Sequence, residues 1–92
     1  MSIEDQIQKR YRYEYKKEIA TSSLENGRKF AESLNVTKEN RSQAIDECYM
    51  HMYRNYSGPT YGLLTPVFLL VLKVVLYWLA EKIIDELLDS KA

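Results

Sequence analysis

Sixteen of the twenty residues from Tyr61 to Ala80 are apolar or aromatic, whereas the other 72 positions of the chain hold only 26 such residues. A run of that density must leave water, so the fold is decided by what covers it. Thr65 followed by Pro66 offers a capping hydroxyl and a proline at the first helical position. The regular helix is therefore expected from Pro66 to about Asp89, not from Tyr61. From Val67 to Ala80 it is apolar nearly all round, interrupted by Lys73 and the amphipathic Tyr77 and Trp78. From Glu81 onward, Ile83, Ile84, Leu87 and Leu88 keep an apolar stripe, with Glu81, Lys82, Asp85, Glu86 and Asp89 as a wet face.

A bilayer and a protein core compete for this helix. Tyr61 to Ala80 has nearly the length of a span, with Tyr61, Tyr77 and Trp78 as interfacial aromatics, and the ten Lys or Arg before it would keep the N-terminus inside. Its uniformly apolar part, 67–80, is only about 21 Å long at the helical rise, against a hydrocarbon core of about 30 Å. Lys73 in the middle would add about 2.5–3.5 kcal/mol to insertion. Both considerations favour a protein environment in which Lys73 snorkels its ammonium outward along its packed stem. A single-pass or re-entrant membrane protein is the alternative.

The front end explains why a second copy is expected. Residues 1–60 contain eight residues of the Leu, Ile, Val and Phe set, namely Ile3, Ile7, Ile19, Leu24, Phe30, Leu34, Val36 and Ile45. Tyrosines 11, 13, 15, 49, 53 and 56, with Met50 and Met52, must supply the rest of the buried surface. Such a hairpin can hardly surround an apolar helix on every side, and Cys48 alone can form no disulfide within the chain. The expected fold is all-α with three helices, a polar Tyr-rich hairpin over 1–60 and a dependent C-terminal helix over 61–92, assembled as a helical homo-oligomer. Phe68, Leu69, Leu72, Leu76, Leu79, Ile83 and Leu87 are the expected oligomer or membrane interface.

Within the hairpin, Ser2 can cap a long first helix whose apolar positions recur as Ile3, Ile7, Tyr11, Tyr15 and Ile19, then Ala20, Leu24, Gly27, Ala31 and Leu34. The face drifts, predicting a bend, and YRYEY adds a local strand tendency at Tyr11, Tyr13 and Tyr15. Asn35 can end this helix in a left-handed conformation and Thr37 can cap the second. That helix should place Ala44, Ile45, Cys48, Tyr49, Met52, Tyr53 and Tyr56 on one face, Arg41 largely on the other, and stop near Tyr56 before Ser57, Gly58 and Pro59.

Phe30 to Ile45, FAESLNVTKENRSQAI, resembles a helix-turn-helix DNA-binding motif. Ala31 matches its small first-helix position, Leu34 and Val36 flank the turn, and Thr37 opens a recognition-like helix. The turn glycine is replaced by Asn35 and the inward apolar position of the second helix by Arg41. The resemblance implies that Lys38, Glu39, Asn40, Ser42 and Gln43 would face the major groove, with the basic run from Lys9 to Lys17 on phosphates. Lys9, Arg10, Arg12, Lys16 and Lys17 are the candidate contacts for an anionic ligand, nucleic acid or lipid headgroups. Thirteen basic residues balance thirteen acidic ones, which gives no net field for a generic polyanion binder.

Catalytic chemistry finds little material. Cys48 and His51 share a helix three residues apart, but a structural zinc needs four ligands and the chain has no second Cys or His. Three scattered glycines make no phosphate loop, and the acidic pairs Glu4/Asp5, Asp46/Glu47 and Asp85/Glu86 are sequence neighbours that diverge on a helix. No catalytic residue, metal, cofactor or small-molecule substrate is expected. The mixed-charge opening MSIEDQIQKR has no apolar signal region, so a cytoplasmic or membrane-associated placement is expected. Small size, tyrosine richness and a terminal apolar helix are similar to the general style of small phage-encoded or virion-associated proteins. A non-enzymatic scaffold that self-associates or docks in a larger assembly is the expected role.

Overall fold

A computed structural model describes residues 2–60 and 66–90, and within them the chain is all-helical. Four helices replace the expected three: α1 (Ile3–Arg10), α2 (Glu14–Glu32), α3 (Arg41–Arg54) and α4 (Pro66–Ser90). The long N-terminal helix is broken because its four-residue spacing drifts by roughly 40° per step. A straight helix would leave Ile3 and Ile19 on nearly opposite sides. The elbow at Tyr11–Tyr13 resets the phase, with Tyr11 at φ −111°, ψ 97° and Tyr13 at φ −85°, ψ 131°. Ile3, Ile7, Ile19 and Ala20 all become buried. The strand tendency of the tyrosines is realised as this short extended link and not as a strand.

Ser2 caps α1, its hydroxyl accepting the Asp5 N–H at 3.2 Å. At the next junction α2 ends at Glu32 with Ser33 in a right-handed conformation, ahead of Asn35. Thr37 and Asn40 then bond each other across the turn before α3, whose N-cap residue is Asn40 and not the expected Thr37. The Thr37 N–H donates to Asn40 Oδ1 at 2.7 Å, and the Asn40 N–H donates to Thr37 Oγ1 at 3.2 Å. This turn delays the regular second helix of the hairpin to Arg41. It stops at Arg54, where the Asn55 side chain donates to the His51 carbonyl at 2.9 Å. Pro66 is the first residue of α4 as expected, while the Thr65 cap and Tyr61 lie outside the described residues.

The chain measures 41 × 26 × 17 Å, and α4, about 37 Å long at the helical rise, runs most of its length. Helices α2 and α3 pack side by side on α4, and α1 folds back on α2. The thickness admits only two helix layers, so α4 is covered on one side and open on the other.

Close approach substitutes for bulky side chains in the upper layer. The buried face of α2 contains Ala20, Ser23, Gly27 and Ala31, and that of α3 contains Ala44 and Cys48. These small residues bring both backbones near α4, whose Leu72, Val75, Leu76, Leu79, Ala80, Ile83 and Ile84 fill the seam. Phe68, Leu72, Leu76, Leu79 and Ile83, expected at an oligomer or membrane interface, are therefore at most 6% exposed within a single chain. Leu69 and Leu87 are half-buried against the same core. The expected front-end deficit in core material is made up by packing distance, and no second copy is needed to cover these positions.

Candidate functional site

Burying one side of α4 leaves Val67, Leu70, Val74 and Tyr77 on the other, at 73%, 62%, 54% and 42% exposure. Their spacing of three, four and three residues makes a continuous stripe along about 15 Å of helix. Tyr13, held outward by the elbow, is 70% exposed. Sequence reasoning missed this face by assigning the interface to the residues with the best heptad-like spacing. Those residues pack inward; the shorter stripe beginning at Val67 is what remains.

Two shallow recesses meet at Val74. One, of about 450 Å³, is bounded by the elbow residues Tyr11, Arg12 and Tyr13 with Arg10 of α1 and Lys16 of α2. The other, of about 430 Å³, is bounded by Arg10, Tyr49, Lys73, Tyr77, Trp78 and Glu81. Three cations at the rim are seated on aromatic rings. Arg10 lies 5.4 Å from the Trp78 ring centroid, Lys16 5.7 Å from Tyr13, and Lys73 5.7 Å from Tyr53. Tyr11 is buried edge-on against Trp78 with centroids 5.3 Å apart, and burial pushes its phenol up from the ordinary value.

The expected anionic-ligand cluster is thus divided. Arg10, Arg12 and Lys16 reach the stripe, Lys17 pairs with Glu14 at 3.6 Å, and Lys9 is exposed on α1 away from these recesses. Lys73, expected to snorkel out of a buried helix, is exposed.

Arg41, the residue that departs from the helix-turn-helix pattern, reaches across to α4. Its Nε donates to Asp85 Oδ1 at 2.7 Å and its terminal nitrogen to Oδ2 at 3.0 Å. Arg41 therefore serves the α3–α4 joint and not the wet face assigned to it. Asn40 is equally committed, with its amide also donating to the Asn35 carbonyl at 2.7 Å. Lys38, Glu39 and Asn40 belong to the capping turn before α3, while Ser42 and Gln43 are exposed in its first turn.

The Arg41 hydrogen bond holds the Asp85 carboxyl below the ordinary carboxylate value, outweighing the opposing effect of burial. Stabilisation from this pair is fully present above the unfolded carboxylate pKa of about 3.9 and fades as pH falls through the lower folded value. Both side chains are over 40% exposed, so solvent screening keeps the effect small. Asp85→Asn should lower the urea midpoint at pH 7, and the difference from the unaltered protein should shrink below about pH 3. An equal difference at both pH values would remove the pair as its cause.

Cys48 and His51 are engaged with different partners. The buried Cys48 thiol donates to the Gly27 carbonyl at 3.7 Å, and desolvation pushes it up to about 12. His51 is stacked on Phe30, with centroids 4.2 Å apart and planes at 8°, and its Nε2 lies 3.2 Å from Asn26 Oδ1. Nε2 acts as donor there if Nδ1 accepts from the Asn55 amide at 3.5 Å. Among the described residues no group of three His, Cys, Asp or Glu is placed to hold a metal ion, and no helix is long and apolar enough to cross a membrane. Comparison with protein-family models, curated proteins and solved structures gives no match.

Proposed function

We propose that this chain is a non-enzymatic docking protein whose working surface is the outward face of α4. One observation carries the proposal: after α4 has filled its own core, Val67, Leu70, Val74 and Tyr77 remain together in water. Scattered exposed apolar residues are ordinary, but a contiguous stripe with a charged rim is the usual form of an interaction site. The groups that could have served chemistry are committed elsewhere, Cys48 to a backbone carbonyl and His51 to a ring stack. The homo-oligomer expected from sequence stands as a narrower proposal, since a second copy would have to meet this stripe and not Leu72, Leu76 or Leu79.

Replacing Leu70 and Val74 together by Asp tests whether the stripe is an accessible adhesive surface. The double variant should keep its helical circular dichroism, with a stability change within about 0.5 kcal/mol per surface position. Its retention on a phenyl matrix should fall well below that of the unaltered protein. Equal retention would mean that the stripe is covered and would overturn the docking role.

A further inference from the structure

We propose that the outward face of α4 seats the protein on an anionic lipid surface, on which it lies without crossing. This rests on the docking role just proposed and names its partner. The charge distribution supplies the main support. The whole chain is neutral, with 13 basic and 13 acidic residues, yet the rim of the stripe carries Arg10, Arg12, Lys16 and Lys73 against Glu81 alone.

Ion pairs elsewhere engage three of the carboxylates. Arg28 holds Glu4 at 3.0 Å and Glu86 at 3.7 Å, and Arg41 holds Asp85, so these acidic residues of α1 and α4 are paired away from Val74. Among the described residues Arg10, Arg12, Lys16 and Lys73 enter no ion pair. These four lie around the outward apolar face of α4, beside Val74 and Tyr77.

Geometry favours a fluid surface over a groove-seeking partner. Val67, Leu70, Val74 and Tyr13 each stand more than half exposed, so they protrude and do not line a deep slot. Cations seated on Trp78, Tyr13 and Tyr53 sit at the boundary between apolar surface and water. Lipid phosphates and carboxylates occupy the corresponding level of a bilayer, with the acyl boundary beneath for Leu70 and Val74. A second copy fits less well. Two-fold antiparallel pairing that matches Val67 to Tyr77 and Leu70 to Val74 would bring Lys73 of each copy towards the other, beside both Arg10 side chains.

Vesicle flotation tests the assignment, using phosphatidylcholine alone and phosphatidylcholine mixed with phosphatidylserine. The protein should float with the mixed vesicles, much less with phosphatidylcholine, and progressively less as salt rises. Arg12→Gln and Lys16→Gln should each weaken binding about fivefold, and Leu70→Asp with Val74→Asp should abolish it while circular dichroism is unchanged. No flotation with mixed vesicles, in a protein whose phenyl-matrix retention still depends on Leu70 and Val74, would overturn the lipid partner and leave the docking surface standing. A Val74-dependent dimer in sedimentation without vesicle binding would assign the face to a second copy. Salt-sensitive binding of duplex DNA without vesicle binding would assign the basic rim to nucleic acid, and either result overturns the proposal.

Discussion

Truncation of Leu76 to alanine should lower the free energy of unfolding by about 2–5 kcal/mol, measured by urea denaturation with helical circular dichroism. Leu76 is fully buried at the middle of α4, beneath the faces of α2 and α3. The rigid backbones on either side leave little room to collapse into the void, so lost transfer energy and lost packing contacts add. Domains of this size have only about 5–15 kcal/mol in total, which makes the loss a large share. Leu76→Asp goes further, because a carboxylate with no partner in that seam would have to stay neutral or open the layer. The aspartate variant should be largely unfolded in water. A folded, monomeric Leu76→Asp protein would instead mean that Leu76 belongs to a subunit contact, as its spacing in the sequence first suggests.

Leu76 also illustrates how far the sequence could be read. Helical periodicity and capping residues are local signals, so Ser2, Pro66 and the apolar face of α3 are where the pattern puts them. The depth of burial on α4 is not local. It depends on how near α2 and α3 come, which is controlled by Ala20, Ser23, Gly27, Ala31, Ala44 and Cys48. Counting only Leu, Ile, Val and Phe in the front end gives these residues no weight, and the pattern then calls for a second copy. Small residues allow two helices to cover the inward side of α4, including Leu72, Leu76 and Leu79, while its outward side stays open.

The elbow and Arg41 failed for other reasons. The drift of Ile3, Ile7, Tyr11, Tyr15 and Ile19 announces that a straight helix cannot bury them all, but bending and breaking satisfy the pattern equally well. Tyr11 settles the outcome by packing edge-on against Trp78, a contact 67 residues along the chain that no local pattern contains. Arg41 looked unsuitable for an inward position until α4 supplied Asp85 opposite it. The candidate surface was legible only by subtraction. Val67, Leu70, Val74 and Tyr77 acquire meaning once the rest of α4 is known to be covered, and the basic rim once Arg28 and Arg41 are known to take the acidic partners.

Gly27 gives the most direct test of close packing. A Cβ built at this position would lie 2.5 Å from Met52 Sδ, 2.8 Å from Ile83 Cδ1 and 3.2 Å from Met52 Cγ. Side chains of α3 and α4 therefore occupy the space that any other residue on α2 would need. Gly27→Val should destabilise by about 1–3 kcal/mol through overpacking, even though valine is the better helix former by a few tenths of a kcal/mol. Met52 is fully buried, so Met52→Ala alone should cost about 2–5 kcal/mol by opening a void beside Gly27. In the double variant the valine branches occupy part of that void. The combined loss of unfolding free energy, taken from the urea midpoints at constant denaturant slope, should fall short of the sum by about 0.5–3 kcal/mol. Strict additivity would show that α2, α3 and α4 do not meet at Gly27, and the account of how two slender helices cover α4 would fail with it.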